Sequence, residues 1–514
     1  MSKTIIIIGA GLAGLSAALQ AAENGCNVKL VSFLPSERAQ SVMAEGGINA
    51  ALNTKDENDS PEEHFTDTIK AACGLADPNA VWGMTQAAPE LVHWLLKLGV
   101  KFNMSGYDDV DLRNFGGQKK KRTAFAQSDT GKQIMTAMID AVRRKEASGM
   151  VERFSHHSFL TLRLCGNICC GCVIRDEYSQ EIVELPGNAV IVASGGMHGL
   201  FGNTTGSLSN TGEVTAELFR LGVPLVNGEM IQYHPTTVEC GGKRMLISEA
   251  ARGEGGRLFA LRNNQPWYFM EEKYPELGNL MPRDITAREI WKVSHESEVF
   301  LDMTEISEEI ISNKLSGLAD DCMTYLHKDI RKEPVSVLPG IHYFMGGILV
   351  DEQHRTPIQN LYAAGECCAQ YHGANRLGGN SLLGALYGGR VAAKSACEQA
   401  DVVDLSCATQ IDFPPASQIS EIKQLNKVMQ ETMGVVRNEN TLLNGIQTVQ
   451  ALTGNLPLLG MAVLKSALAR KESRGAHWRE DYPKSNDDDY LKTTVARFDG
   501  KQIQISFVPV PERR

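Results

Sequence analysis

The sequence predicts an α/β protein. A Rossmann-like dinucleotide-binding domain is interrupted by an inserted α+β domain and followed by a helical C-terminal domain. Three observations predict this. Residues Thr4 to Ser32 read as strand, glycine turn, helix and second strand. The same strand-then-glycine punctuation returns at Ala189–Gly196 and at Leu361–Glu366. Between them, from Asn227 to about residue 335, tryptophans and charges displace that pattern. The domain division read from this is 1–228, 229–335, 336–405 and 406–514.

Each element has a local reason. Ile5 to Ile8 is an apolar run of strand length, and Val28 to Val31 is its parallel partner. Between them, Gly9 allows the tight turn and Gly11 lets the backbone approach a pyrophosphate. Gly14 lets helix and strand pack closely. Ala10 and Ala13 complete the turn, and the helix N-terminus offers N–H groups to phosphate. Ser32 ends the second strand where an acid often binds ribose.

The stretch Ser41 to Leu52 follows, with Ser41, Ala44, Gly46 and Gly47 free to approach a ligand. Ser60-Pro61-Glu62-Glu63 starts a helix with Phe65, Ile69 and Ala72 inside. Asp77-Pro78 starts another, and Pro89-Glu90 a third. The loop Arg113 to Gln118 has paired glycines. The basic run Lys119 to Arg122 reads as a solvated loop. Val151 to Val183 reads as a β-hairpin or meander. Asp401 to Ser417, with Pro414-Pro415, reads as a linker. The last hundred residues read as mostly helical, with an apolar tail from Ile503 to Pro511.

Bulk properties exclude several classes. The chain has 514 residues and a net charge of -10, with pI near 5.7. That argues against nucleic acid as a partner. No apolar run reaches the ~20 residues of a membrane span, so no direct membrane insertion is expected. No secretory leader is read, which implies a cytoplasmic protein, with any membrane association through partner subunits. Most of the twelve cysteines should be buried thiols. The cluster Cys169-Cys170-Gly171-Cys172 lacks the spacing of a zinc or iron–sulfur site, so no metal is expected.

Three later segments, with the 41–52 loop, specify a flavin. In VIVASGG, Ser194 and Gly195 bring backbone close to a bound dinucleotide. In LYAAGE, Glu366 can meet ribitol hydroxyls. In NRLGGNSLL, Asn380, Ser381 and Leu382 open a helix whose N-terminus suits a reduced flavin's negative edge. The expected cofactor is FAD, and the insert is then a capping domain.

These motifs resemble the flavoprotein subunits of succinate dehydrogenase and fumarate reductase, and the related L-aspartate oxidases. The matching stretches include GAGLAGLSAA, MAEGGINAAL, FGGQ, QYHPT, SEAARGEGG, PRD, HYFMGGI, HGANRLGGNSLL and ESRGAHWREDYP. The resemblance implies hydride transfer between FAD and the central carbon–carbon bond of a C4 dicarboxylate. It implies that His342 and Arg376 bind one carboxylate, and that His234, Thr236 and Ser248 line the site with Glu249. It makes Arg283 the proton donor or acceptor, with Glu249 and Arg252 as its relay. It also implies an iron–sulfur partner subunit. Taken singly, Arg283 reads equally as an ordinary ion pair and His342 as a core histidine. A binding module without chemistry would have lost Arg283 or Arg376.

Two departures matter. Many family members attach FAD covalently through a His where this chain has Gln40, so the FAD should be non-covalent. Covalent attachment goes with a higher flavin potential, so its loss favours fumarate reduction. L-aspartate oxidases place a Glu before the paired glycines of the 116–117 loop, where it can meet an ammonium. Phe115 stands there, which suits a non-aminated dicarboxylate. L-aspartate oxidation and the reduction of another enoate remain as alternatives.

Overall fold

The run Ile5–Ile8 lies in the middle strand of a five-stranded parallel sheet. In order, its strands are Leu361–Ala363, Ala189–Val192, Thr4–Ile8, Asn27–Ser32 and Val151–Ser155. Both faces are covered, which is why the sequence shows no alternation here. Ile5 and Ile7 face a core built on the helices Leu12–Glu23, Pro78–Leu98, Thr130–Ala147 and Asn380–Gln399. Ile6 and Ile8 face a second core under a three-stranded antiparallel sheet. The computed structural model describes residues 2–106, 109–400, 411, 413 and 418–514. Nearly all of the 401–417 linker therefore lies outside the described residues.

The first turn is as tight as its glycines imply. Gly9 has φ +111°, and a Cβ on Gly14 would lie 1.8 Å from the Gly9 carbonyl oxygen. Farther along, a Cβ on Gly389 would lie 2.3 Å from the Ala13 carbonyl oxygen. The first and last helices of this domain thus cross in backbone contact, which aims the N-terminus of Asn380–Gln399 at the same cleft.

Local expectations change in four places. Val151–Ser155 joins the parallel sheet beside Asn27–Ser32, and the meander begins only at His157. His156, at φ +60°, makes the break. Its middle strand, Ile168–Asp176, carries the cysteine cluster, where Cys169 and Cys172 pack with Ile6 and Ile8. Pro78–Leu98 is a single helix with Pro89 inside it. One N–H bond is forgone, while Met84, Ala88, Leu91 and Val92 keep a continuous apolar face. Arg122, read as solvated, is fully buried and ion-paired to Asp59 and Asp67, both at 2.9 Å. The tail is no loose segment either. Ile503–Pro509 pairs with Lys492–Phe498, and that hairpin extends the sheet through Leu225–Val226.

The insert leaves and re-enters at one place, because Val226 and Gly347 are cross-strand partners. Between them lie two antiparallel sheets. One joins Ile231–Cys240 to Lys243–Leu246 and Leu338–Phe344. The other contains Arg257–Arg262 and Val299–Asp302. With the helices Glu249–Gly253 and Arg283–Ser294 they enclose a separate apolar core. Three helices, Ile419–Thr432, Glu439–Val449 and Asn455–Ala469, follow toward the C-terminus. Among the described residues, no helix is long and apolar enough to cross a membrane.

Candidate active site

A cavity of about 940 Å³ runs from the carboxyl ends of the parallel strands to the insert. Gly9, Ala10, Gly11, Ala13, Ser32, Ser41, Ala44, Gly46, Gly47, Ser194, Gly195, Glu366, Ser381 and Leu382 all line it. This is the crevice at a topological switch point, where α/β sheets hold ligands. Its chemistry fits a dinucleotide. The Ser32 hydroxyl is buried without a hydrogen-bond partner at the end of its strand, placed for a ribose. The helix at Asn380 begins after Gly379 with no side-chain cap, leaving first-turn N–H groups for a ligand. Glu366 accepts from the Phe344 amide at 3.1 Å, which fixes its carboxylate beside the cleft.

Two cofactor-segment residues stand behind the wall. Gly14 serves the helix–strand contact. Asn380 is fully buried in a polar knot, accepting from Asn49 Nδ2 at 2.7 Å and donating to Thr68 Oγ1 at 3.0 Å.

At the insert end, the cavity is lined by Phe115, Ser248, Glu249, Arg283, His342 and Arg376. They come from both sides of the cleft. Arg283 opens the helix Arg283–Ser294, and its Nε and Nη2 donate to Glu249 Oε2 at 2.8 and 2.6 Å. Glu249 Oε1 also accepts from the Gly116 amide at 3.0 Å and faces Arg252 Nη2 at 3.4 Å. Ser248 caps the short helix that carries both. Burial pushes the Glu249 carboxyl up, but the Arg283 and Arg252 charges hold it below the usual carboxylate range. Arg252 is buried, with Nη1 donating to the Asn279 carbonyl at 2.6 Å. Arg283, Glu249 and Arg252 thus form one continuous chain.

Arg376 differs. It makes no ion pair among the described residues, its Nε is buried without a partner, and its guanidinium lies 4.5 Å from the Tyr343 ring centroid. Burial, and then Arg283, lower its pKa to about 9. Burial also holds His342 and His234 well below the usual histidine pKa, helped by Arg283. Both rings are therefore neutral at pH 7. They stand edge to face with centroids 5.2 Å apart. His342 Nδ1 pairs with Thr205 Oγ1 at 2.8 Å, while His234 Nε2 is buried and unpartnered. Thr236 sits behind His234, its hydroxyl donating to the Ile247 carbonyl at 2.8 Å.

Sequence reasoning missed several residues. Gln232 joins the two halves: its Oε1 accepts from Arg283 at 3.2 Å, and its Nε2 donates to the Arg376 carbonyl at 2.8 Å. Arg113 holds the 46–47 loop through the Gly46 carbonyl. Glu213 lines the cleft, lifted to a pKa of about 7 by burial and Glu217. Glu45 lines it too, raised to about 8 by burial and Asp321.

Comparison with known proteins shows the family and the fold. A sequence model of the FAD binding domain matches residues 4–382, and one of the fumarate reductase flavoprotein C-terminus matches residues 452–513. The chain is 37% identical to the succinate dehydrogenase flavoprotein subunit of Bacillus subtilis, over 100% of this chain and 98% of that one. It is 32% identical to the 8-methylmenaquinol:fumarate reductase flavoprotein subunit of Wolinella succinogenes, over 100% and 92%. Among solved structures, a mutant of the E. coli quinol fumarate reductase FrdA superposes with a TM-score of 0.90 at 27% identity, covering 99% and 97%.

Proposed function

The chain belongs to the family of succinate dehydrogenase and fumarate reductase flavoprotein subunits, and on that premise we propose that it interconverts fumarate and succinate with non-covalent FAD, using Arg283 as the proton carrier. The observation that carries this reading is the charge at the insert end of the cavity. Arg283 and Arg252 share the carboxylate of Glu249, Arg376 adds a third guanidinium that makes no ion pair among the described residues, and the nearby imidazoles are neutral. Two positive charges are left over, which match a C4 dicarboxylate dianion.

FAD, when bound along the glycine turns and Ser32, supplies the hydride chemistry. The residues do the rest. Arg376 and His342 hold one carboxylate of the substrate. His234, kept in place by Thr236, and Ser248 face the other. In fumarate reduction a hydride adds to one alkene carbon, and a proton passes from an Arg283 nitrogen to the other carbon. Arg252 then gives a proton to the ionised Glu249, which passes it on to Arg283, and Arg252 is reprotonated from solvent. The capping domain, closing on the FAD-binding domain, excludes water from the step. Phe115, a buried ring packed against Gly46 and Gly378, offers no anion to a substrate ammonium.

Gln40 lines the cleft and has no ring nitrogen to bond a flavin carbon. A non-covalent flavin suits fumarate reduction, with electrons arriving from an iron–sulfur partner subunit that also provides any membrane association. The test is turnover of the purified protein with a reduced viologen and fumarate, with succinate and a dye, and with L-aspartate. Fumarate and succinate should react. Turnover of L-aspartate alone would overturn the assignment.

A further inference from the structure

The stretch Glu472–Pro483 takes no part in the chemistry above, yet it braces the supports of both site arginines. On one side it reaches Arg376. The Ala476 amide donates to the Ala374 carbonyl at 2.9 Å, two residues before Arg376. Gly475, at φ +54°, passes so close that a Cβ would lie 2.5 Å from that same oxygen.

On the other side it meets the helix that begins with Arg283. Trp478 lies under this helix, with the Arg288 guanidinium carbon 4.0 Å and Lys292 Nζ 6.0 Å from its ring centroid. Asp284, Arg288 and Lys292 are four residues apart, so they share one helix face. Asp284 accepts from Asn375 Nδ2 at 3.1 Å, which ties the same face to the residue next to Arg376. The gap bordered by Asp284, Arg288, Gly475 and Trp478 is only about 10 Å³. Trp478 is itself held firmly: its carbonyl accepts from the Arg437 amide at 3.0 Å. Beside it, Arg479 pairs with Asp481 at 2.6 Å.

We propose that Trp478 is a positioning residue that, through Arg288 and Lys292, clamps the Arg283 helix against the C-terminal region and so biases the cap toward its closed state. A cation over an indole face in a partly dry contact is worth a useful fraction of such an equilibrium. Without the clamp, substrate binding must itself draw the cap shut. Apparent affinity then falls while the rate at saturation is kept. The kinetic half of this inference rests on the function proposed above; the clamp itself does not.

The experiment compares Trp478→Leu, Trp478→Phe, Arg288→Gln and the double variant Trp478→Leu/Arg288→Gln as FAD-loaded protein. It measures fumarate kinetics, FAD content and amide hydrogen exchange along residues 283–294. For Trp478→Leu, KM should rise about tenfold with kcat within about twofold. Exchange should quicken in that helix alone, with FAD content unchanged. Arg288→Gln should do the same, the double variant should be no worse than either single, and Trp478→Phe should recover most of the loss. Unchanged exchange in that helix, additive effects of the two substitutions, or a general loss of protection with FAD would each overturn the clamp. If the unaltered protein fails to turn over a dicarboxylate, the proposed chemistry falls, and the exchange measurement still decides the clamp.

Discussion

Arg283→Ala separates proton delivery from cofactor binding. The side chain makes two hydrogen bonds to Glu249 and one to Gln232, and none of these reaches the glycine turns of the cleft. Removing a positioned proton donor costs about 10²–10⁴ in rate, and removing a charged donor aimed at the reacting group about 10²–10³. The two losses overlap, because one group does both, so turnover should fall by about 10⁴, or ~5.5 kcal/mol of barrier. Folding should suffer less. Breaking a buried pair outright costs about 3–5 kcal/mol, but Glu249 keeps Arg252 at 3.4 Å and the Gly116 amide, so about 2 kcal/mol is expected. The assay is viologen-linked fumarate reduction, alongside the flavin absorbance of the purified variant. Turnover within tenfold of the unaltered protein would refute the role of Arg283. Loss of FAD from the variant would refute the separation of the two functions.

Two further outcomes are expected. Acid denaturation of the protein should release all flavin into the supernatant, because the proposed non-covalent binding leaves Gln40, with no ring nitrogen, beside the cofactor; flavin found in the pellet would contradict this. Glu45→Gln should flatten the dependence of stability on pH. The Glu45 carboxyl rises to about 8 in the fold from an ordinary value near 4.5, its Oε2 being closed off from solvent although the residue as a whole is half-buried. Its stabilisation is therefore complete below about pH 4.5 and is lost as pH rises through about 8, a loss of about 5 kcal/mol. The Gln variant should melt higher than the parent at pH 8 and about level with it at pH 5. A parallel pair of melting curves against pH would sink the assignment.

How much of this was legible in the sequence depends on what each residue reports. Glycines report backbone constraint, and backbone constraint is local. Gly9, Gly11, Gly46, Gly47 and Gly195 could therefore be read as one cleft before any coordinates. The site arginines carry no such local mark. Arg283 and Arg376 stand ninety-odd residues apart, and only the motifs around them said they belong together. Gln232 had a signal, its place beside Tyr-His-Pro-Thr, but an amide's role depends on which donors and acceptors surround it. Arg122 failed for the same reason. A basic run looks solvated until the fold brings Asp59 and Asp67 to its last member. The C-terminal strand was hidden because Ile503, Ile505 and Phe507 alternate weakly and pair only with a neighbour that the sheet supplies.

The division of labour between the two halves follows from where charge can be kept. The Arg283–Glu249–Arg252 chain lies on the insert, and its carboxylate has two cations there and the Gly116 amide from across the cleft to stay ionised without water. Arg376 lies on the other side with no carboxylate of its own, an isolated buried cation that favours an incoming anion. Separated, neither half makes a complete site: one has the proposed proton path and a single positive charge beyond its carboxylate, the other a second, unpaired cation and no proton path. Gln232 is the neutral link, accepting from one arginine and donating to the carbonyl of the other. A neutral link suits the proposed substrate, because a carboxylate there would cancel positive charge meant for a dianion, and a third cation would repel both arginines. A Gln232→Glu variant should therefore bind dicarboxylate more weakly with FAD content unchanged.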